Sequence, residues 1–208
     1  MDFTFKTNSE LKNHALKQLK GNWWAAILVC MIVAIIPMLI SYFFADDFWG
    51  PLLNLLVAGS LSIGSANYFL ALVRGQQPSF KVIKYGFSNF FNNFSLYFFI
   101  LIYTFLWMLL LIVPGIIKTL SYSMSYYIKC ENPHLSANEA INASMKLMAG
   151  HKLKLFLLCL SFIGWILLSI ITLGFGFIVL TPYINATLAS FYLDIKEKNE
   201  LNITKVTI

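Results

Sequence analysis

The chain has 208 residues, of which 59% are hydrophobic and only 12% are charged. Soluble domains carry charge on roughly 25% of their residues, so this composition excludes an ordinary water-soluble globular fold. The formal net charge is +6, but the basic residues are scattered over several polar segments, which argues against a nucleic-acid partner. Anionic lipid headgroups are the partner that the charge predicts, at about 1 kcal/mol per basic residue near the surface.

Six apolar stretches predict membrane-spanning helices. Residues 23–44 alone contain 22 positions without a charge, and about 20 apolar residues cross a bilayer as a helix. In chain order the predicted spans are Asn22–Phe44, Pro51–Val73, Phe94–Val113, Ile116–Ile128, Leu153–Ile171 and Phe175–Leu193. The fourth span has about 13 residues and is short for a complete crossing.

Turn signals between the spans predict three hairpins. Gly50-Pro51 follows the acidic pair Asp46-Asp47 in the first, Pro114-Gly115 breaks the second, and Gly174 lies in the third. We therefore expect an all-α fold in a single domain over residues 1–208. This fold is a polytopic membrane bundle with six transmembrane helices.

The basic residues predict the orientation of this bundle. If the N-terminus is cytoplasmic, fourteen of the fifteen lysines and arginines fall on that side, and only Lys118 falls on the other. Basic residues in short loops are retained on the cytoplasmic side. Both termini are therefore predicted to be cytoplasmic.

A repeat of about 64 residues organises the chain. Gly21, Gly86 and Gly150 are 65 and 64 positions apart, and each follows a short segment with apolar residues at helical spacing. Before the third of these glycines, Ser136 and Glu139 have the spacing of a capping box. The even-numbered spans contain three hexapeptides that align without gaps: Ser65-Ala-Asn-Tyr-Phe-Leu70, Ser123-Met-Ser-Tyr-Tyr-Ile128 and Leu188-Ala-Ser-Phe-Tyr-Leu193.

We interpret these patterns as three parallel repeats, over residues 9–73, 78–130 and 136–195. Each repeat would consist of an amphipathic helix on the cytoplasmic face followed by a transmembrane hairpin. Chance similarity among helices rich in aromatic residues is the alternative explanation.

Small and hydrogen-bonding residues recur at helical spacing on the even-numbered spans. They are Ser60, Gly64, Asn67, Ser121, Ser125, Asn185 and Ser190. In the packing interpretation they let helix backbones approach closely and bond across the contact, for about 0.6 kcal/mol each. In the functional interpretation Asn67, Ser125 and Ser190, equivalent in the repeat, converge on a polar central cavity that passes a solute or a lipid headgroup.

No motif in the sequence predicts a reaction. His14, His134 and His151 are far from one another and lack the spacing of metal ligands. No nucleophile lies beside a plausible base, and no glycine loop has the pattern that holds phosphate. No ionisable residue is clearly placed at mid-membrane, which argues against proton-coupled transport. We therefore expect no enzymatic activity, no cofactor and no metal.

Several motifs resemble a known family. The segment Leu106-Trp-Met-Leu-Leu-Leu-Ile-Val-Pro-Gly-Ile116 precedes Ser161-Phe-Ile-Gly-Trp165 in the chain. The residues that carry the resemblance are Trp107, Pro114, Gly115, Gly150, Lys152, Gly164, Trp165, Pro182 and Tyr183. Together they resemble the multi-pass membrane proteins catalogued as domain of unknown function nine-seven-five, found mainly in Gram-positive bacteria. The resemblance covers essentially the whole chain and implies a helical bundle in the bacterial cytoplasmic membrane, without any activity or catalytic residue.

These observations predict an integral membrane protein that is not an enzyme and that acts by binding lipid or partner proteins, a second copy of itself included. Envelope homeostasis and protection against a membrane-active toxin are roles of this kind. The alternative is a small transporter or permease with a polar path near Asn67, Ser125 and Ser190.

Overall fold

The computed structural model describes residues 5–78 and 84–206, and the side chains of these residues up to Asn199. All regular elements in these ranges are helices, which confirms the all-α prediction. In chain order they are α1 (Asn8–Leu19), α2 (Trp23–Phe43), α3 (Trp49–Val73), α4 (Phe90–Leu110), α5 (Ile112–Tyr122), α6 (Ser125–Glu131), α7 (Ala137–Leu147), α8 (Lys152–Leu160), α9 (Ile163–Ile171) and α10 (Gly176–Val206). The amphipathic segment predicted before the second hairpin lies largely outside the described residues.

Five of the predicted spans are confirmed as helices that are long and apolar enough to cross a bilayer. They are Trp23–Phe43, Trp49–Val73, Phe90–Leu110, Lys152–Ile171 and Gly176–Asn199. The third begins at Phe90 rather than at the predicted Phe94, and the fifth contains a turn between α8 and α9. Five of the six predicted spans therefore agree with the structure.

The fourth predicted span, Ile116–Ile128, is not one continuous helix. α5 ends at Tyr122 and α6 begins at Ser125. At the break, the hydroxyl of Ser123 donates a hydrogen bond of 2.8 Å to the carbonyl of Leu120. A serine that bonds the backbone in this way competes with the helical pattern, which explains why a stretch that reads as one apolar helix forms two.

Two of the long helices, α3 and α10, are the inner helices of the bundle, whereas α2 and α4 lie mostly on its outer surface. Within the most apolar 18-residue stretch of each helix, 61% is buried inside the protein in α3 and 44% in α10. The corresponding share is 11% in both α2 and α4. The outer surface carries large exposed apolar side chains, among them Trp24 and Phe105. An apolar surface of this extent is unstable in water and fits a lipid environment.

Two short helices, α1 and α7, begin with the same cap. The hydroxyl of Thr7 accepts a hydrogen bond from the Glu10 amide while the Glu10 carboxylate accepts one from the Thr7 amide, at 3.3 and 2.6 Å. Ser136 and Glu139 repeat the arrangement at 3.3 and 2.7 Å. The capping box predicted at Ser136 is therefore confirmed, and the one at Thr7 is an addition to the sequence prediction.

The apolar stripes of these two helices face protein. α1 buries Leu11, Ala15 and Leu19 and packs mainly on α10, whereas α7 packs on α4 and α6. Each helix is followed by a glycine with positive φ, Gly21 at 89° and Gly150 at 79°, a conformation that favours glycine. Both helices are thus fastened to the bundle by their apolar faces.

Both helix breaks are held by side chains from α1 and α7. Between α8 and α9, the Lys12 ammonium donates a hydrogen bond of 2.8 Å to the carbonyl of Ser161 and lies 4.1 Å from the centre of the Phe162 ring. A cation at the C-terminal end of a helix stabilises its unpaired carbonyls. The break between α5 and α6 is held by Ser144 of α7, which lies beside the candidate site.

Candidate functional site

A polar cavity lies where α2, α3, α10 and the break between α5 and α6 meet. Its volume is about 280 Å³. The residues that line it are Val33, Ser62, Ser65, Ala66, Phe69, Ser123, Tyr126, Tyr127, Asn185 and Leu188. The polar groups on this lining are hydroxyls and one amide, and the lining contains no charged residue.

The helix break beside the cavity is a built feature of the fold. Ser144, fully buried in α7, donates a hydrogen bond of 2.7 Å to the Ser121 carbonyl and accepts one of 3.2 Å from the Met124 amide. One side chain therefore satisfies backbone groups on both sides of the break. Because these groups are paired, the break can persist in an apolar environment, and it holds Ser123 at the cavity wall.

The cavity reaches the middle of a helix that can span the membrane. Val33 is the eleventh of the 21 residues of α2, so about 15 Å of helix separate it from either end. Asn185 of α10 lies opposite, with its amide nitrogen 3.8 Å from the Cys30 sulfur of α2. The polar groups are therefore placed well inside the bundle along α2.

The structure brings the three aligned hexapeptides together, but at a different position from the one singled out in the sequence. Their first residues, Ser65, Ser123 and Leu188, line the cavity. Their third residues, Asn67, Ser125 and Ser190, are outside this lining. Two residues along a helix correspond to a rotation of about 200°, so the first and third positions lie on nearly opposite faces. Of the seven candidate residues, Asn185 is the one that lines the cavity.

Ser60 and Gly64 lie at a close approach between α3 and the segment that leads into α4. A Cβ atom added to Gly86 would lie 2.0 Å from the Ser60 carbonyl oxygen and 2.9 Å from the Gly64 nitrogen. Backbones can come this near only where side chains are absent or small. The position of these two residues matches the packing interpretation.

The remaining candidate serines have different surroundings. The Ser121 hydroxyl donates 2.8 Å to the Ile117 carbonyl in its own helix. The Ser125 hydroxyl is fully buried and has no hydrogen-bond partner among the described residues. Ser190 donates 2.9 Å to the Ala186 carbonyl and lies 3.0 Å from Nδ1 of His14, which joins α1 to α10.

The burial of His14 should make stability depend on pH. Burial, together with Lys6 and Lys17, lowers the pKa of His14, so the folded state favours the neutral ring. Stability from this source is complete above the unfolded pKa of about 6.5 and is lost as pH falls through the folded pKa. We expect the thermal midpoint in detergent to fall between pH 7.5 and 5.5, and His14→Gln to reduce that fall. An identical pH profile in the variant would contradict this role of His14.

An ion clamp, which the sequence patterns did not reveal, joins the ends of the inner helices. Glu131, the last residue of α6, accepts hydrogen bonds from Arg74 at the end of α3 and from two residues of α10. These are the Lys196 ammonium at 2.7 Å and the Tyr192 hydroxyl at 2.5 Å. One carboxylate thus ties together α3, α6 and α10.

The Glu131 carboxylate is ionised in this setting. Its side chain is only 11% exposed, and burial alone raises the pKa of a carboxyl group. The hydrogen bonds from Lys196, Tyr192 and Arg74, with the charge of Lys196, outweigh burial and hold the pKa of Glu131 below its usual range.

The ion clamp and the polar cavity share a wall. Tyr127 lines the cavity, and its ring stacks on that of Tyr192 with centres 5.3 Å apart and planes 19° apart. Tyr192 in turn donates to Glu131. The clamp and the cavity are therefore connected by two stacked rings.

A second buried carboxylate ties α10 to α8. Asp194 is 1% exposed and pairs with Lys154 at 2.8 Å and with Lys198 at 3.2 Å. It lies within the last candidate span, five residues before its end at Asn199. The sequence did contain a signal for both carboxylates. Only nine acidic residues occur in the chain, and Glu131 and Asp194 closely follow the second and third hexapeptides.

The residues that carry the family resemblance have structural positions near the hairpin turns. Trp107 of α4 lies under the Lys118 ammonium, 4.7 Å from it. A Cβ atom on Gly115 would lie 3.0 Å from the Met108 Cα, so Pro114-Gly115 permits a tight contact between α4 and α5. Lys118, the one basic residue predicted on the non-cytoplasmic side of the membrane, is therefore covered by an aromatic ring.

The other motif residues lie mainly on the third hairpin. Trp165 and Tyr183 line an apolar pocket of about 390 Å³, Pro182 lies inside α10, and Gly164 lies near the start of α9 with no heavy atom within 4 Å of an added Cβ. Lys152 opens α8 and lines a groove on the outer surface.

These observations define the class of the molecule: it is an α-helical protein with several helices able to span a membrane. A family model described as "Protein of unknown function (DUF975)" matches residues 1–121 and 108–199. The chain belongs to this family, which confirms the resemblance found in its motifs. No curated protein and no solved structure matches it. The family model brings no activity with it.

Proposed function

We propose that the protein is a small transporter or permease that binds an uncharged polar solute in the polar cavity. The observation that carries this proposal is a cluster of hydroxyl and amide groups beside a broken helix. Transporters commonly bind substrate where helices are discontinuous, because irregular backbone is tolerated where it lines a cavity. Ser123 and Met124 keep right-handed helical dihedral angles at this interruption, so the break is a local turn that brings Ser123 to the cavity wall.

The chemistry of the lining supports an uncharged ligand. Ser62, Ser65, Ser123 and Asn185 offer groups that both donate and accept hydrogen bonds. A charged ligand would need an opposite charge in this apolar surrounding, and the lining contains none. The volume of about 280 Å³ is at or below the lower end of the range for drug-sized ligands, which favours a small solute.

The ion clamp would close the cavity at the end where the inner helices meet. Tyr127 stacks on Tyr192, which is bonded to Glu131, so separating the inner helices would first require the clamp to open. In a transport cycle of this kind, the clamp is intact whenever the cavity is closed on the side of the membrane that carries most of the lysines.

The topology in this proposal has six crossings in three parallel repeats. Residues 112–128 of α5 and α6 have a length of about 25 Å as helix, at the lower end of the range for a sixth crossing, and Glu131 lies beyond it. The capping residue Thr7 lies 14 residues before Gly21, and Ser136 lies 14 residues before Gly150. This equal spacing supports the repeat. The lysine bias of the sequence places both termini in the cytoplasm.

Access of water to the cavity is the decisive test. In a variant whose three cysteines are replaced by serine, Ser65→Cys and Ser123→Cys should react with a membrane-impermeant thiol reagent from one side of sealed vesicles. The reason is that both positions line a polar cavity, where water can enter. We expect their labelling to be at least about tenfold faster than that of a buried position.

Ser125→Cys is the matched control, since Ser125 lies two residues from Ser123, is fully buried and is outside the cavity lining. The water-filled path would be ruled out if Ser65→Cys and Ser123→Cys reacted as slowly as Ser125→Cys from both sides of the membrane. Labelling slowed by a panel of small polar solutes would identify the class of ligand.

A second candidate function keeps the expectation of a non-enzymatic protein that acts on the envelope by binding lipid or a partner protein. It is favoured by a groove on the outer surface between α5 and α8, where apolar side chains surround Lys152. Protection of both cysteines from the reagent would move this candidate to first place.

A further inference from the structure

We propose that the groove between α5 and α8 is a binding site for an anionic phospholipid. One acyl chain would lie along the groove, and the phosphate would pair with the Lys152 ammonium. The proposal rests on different residues from those of the polar cavity, so either site can exist without the other.

The groove has the shape and lining that an acyl chain requires. Its volume is about 500 Å³. Six apolar side chains and the aliphatic stem of one lysine line it: Val113, Ile116, Ile117, Leu120, Lys152, Leu153 and Phe156. Among these, Val113 is 66% and Leu153 is 67% exposed, so the groove is open on the outer surface of the bundle. A hydrocarbon chain there would shield surface that packs against no other described part of the protein.

Charge identifies the headgroup. Lys152 forms no hydrogen bond or ion pair with another residue in the described ranges, whereas its neighbour Lys154 is paired with Asp194. A lysine that lies along apolar surface extends its ammonium toward the interface. Lys152 also lies at the lysine-rich end of its helix, where a basic residue attracts anionic lipid. A headgroup with a net negative charge therefore fits better than a zwitterionic one.

A lipid suits this groove better than a helix of a partner protein. Helices that associate within a membrane meet at glycine, alanine and serine, because small residues let the backbones approach. The groove instead presents branched and aromatic side chains, Ile116, Ile117 and Phe156 among them. These side chains leave furrows that a flexible hydrocarbon chain can fill.

Native mass spectrometry of the full-length protein can test the site. The protein would be equilibrated in mixed micelles with equal amounts of phosphatidylglycerol and phosphatidylcholine, and the lipids retained would be counted. We expect the wild type to retain phosphatidylglycerol preferentially. Lys152→Gln should reduce that retention about fivefold, the factor equivalent to about 1 kcal/mol for one basic residue.

Lys146→Gln is the matched control, because Lys146 is an exposed lysine nearby in the chain that does not line the groove. Ile117→Trp fills the groove without changing the charge and should reduce retention of both lipids. The proposal would be overturned if Lys152→Gln and Lys146→Gln lost phosphatidylglycerol retention equally, or if the wild type retained the two lipids equally. Thermal midpoints of all variants would show that each one folds.

Discussion

Replacing Glu131 with alanine is expected to lower the free energy of unfolding by about 2–3 kcal/mol. The change removes the acceptor that Arg74, Tyr192 and Lys196 share, and with it the negative charge that lies between the two cations. Breaking a fully buried ion pair costs about 3–5 kcal/mol. The expected value is lower here because the side chains of Arg74 and Lys196 are 38% and 36% exposed and can regain water.

The loss can be measured by thermal or denaturant unfolding in detergent micelles. Glu197→Ala is the matched control, since Glu197 is an exposed carboxylate on the same helix, next to Lys196, and it should change stability by less than about 0.5 kcal/mol. Arg74→Ala combined with Glu131→Ala should cost less than the sum of the two single changes. Equal effects of Glu131→Ala and Glu197→Ala would show that the clamp is no more than a surface ion pair.

Lowering the pH should weaken the ion clamp, in a pH range that follows from the pKa of Glu131. Because the pKa of Glu131 is lowered in the folded state, the clamp contributes its full stability above the unfolded pKa of about 4.3. That contribution is lost as pH falls from about 4.3 through the lowered folded value. Glu131→Gln should therefore make the loss of stability between about pH 5 and 3 smaller than in the wild type, measured as the unfolding midpoint in detergent.

If the clamp closes the cavity as proposed, Glu131→Gln should also speed the labelling of Ser123→Cys from the lysine-rich side. The stability loss and the labelling rate are separate readouts. A less stable variant with unchanged labelling would mean that the clamp supports the fold without controlling access to the cavity.

The sequence predicted those parts of the structure that depend on local patterns. Length and hydropathy located five spans, and the spacing of Ser136 and Glu139 located a helix start, because both are determined within a few neighbouring residues. The first residues of the three aligned hexapeptides lie at one cavity, whereas the alignment itself predicted convergence of their third residues. It did not reveal which face of each helix turns inward, and the cavity therefore lies at Ser65 and Ser123 rather than at Asn67 and Ser125.

The ion clamp and the support of the break at Ser123, both missed from sequence, depend on partners distant in the chain. Glu131 pairs with residues 57 and 65 positions away, and no local pattern links them. The break at Ser123 is held by Ser144, which approaches from another helix. Apolar runs show where a helix can form, whereas its interruption depends on whether a distant side chain pairs the freed backbone groups.

Gly59→Ala and Gly86→Ala are expected to produce the largest loss of stability among single methyl additions, about 3 kcal/mol each. The added Cβ of Gly59 would lie 2.4 Å from the Asn93 carbonyl oxygen and 2.9 Å from its carbon, and that of Gly86 would lie 2.0 Å from the Ser60 oxygen. These neighbours are backbone atoms, which cannot turn aside as a flexible side chain can. The whole of α4 would have to move relative to α3, so the cost reaches the upper part of the range for overpacking.

Gly164→Ala provides the matched comparison within the same protein. Gly164 lies in α9, and no heavy atom lies within 4 Å of its added Cβ, so alanine there should be neutral or stabilising by up to about 1 kcal/mol through helix propensity. Unfolding midpoints of the three variants, measured side by side in one detergent, separate the effect of contact from that of an added methyl group. Similar stability of all three would mean that α3 and α4 are not in close contact at Gly59 and Gly86. That result would also remove the packing role assigned to Ser60 and Gly64, since their small size matters only if the two backbones meet.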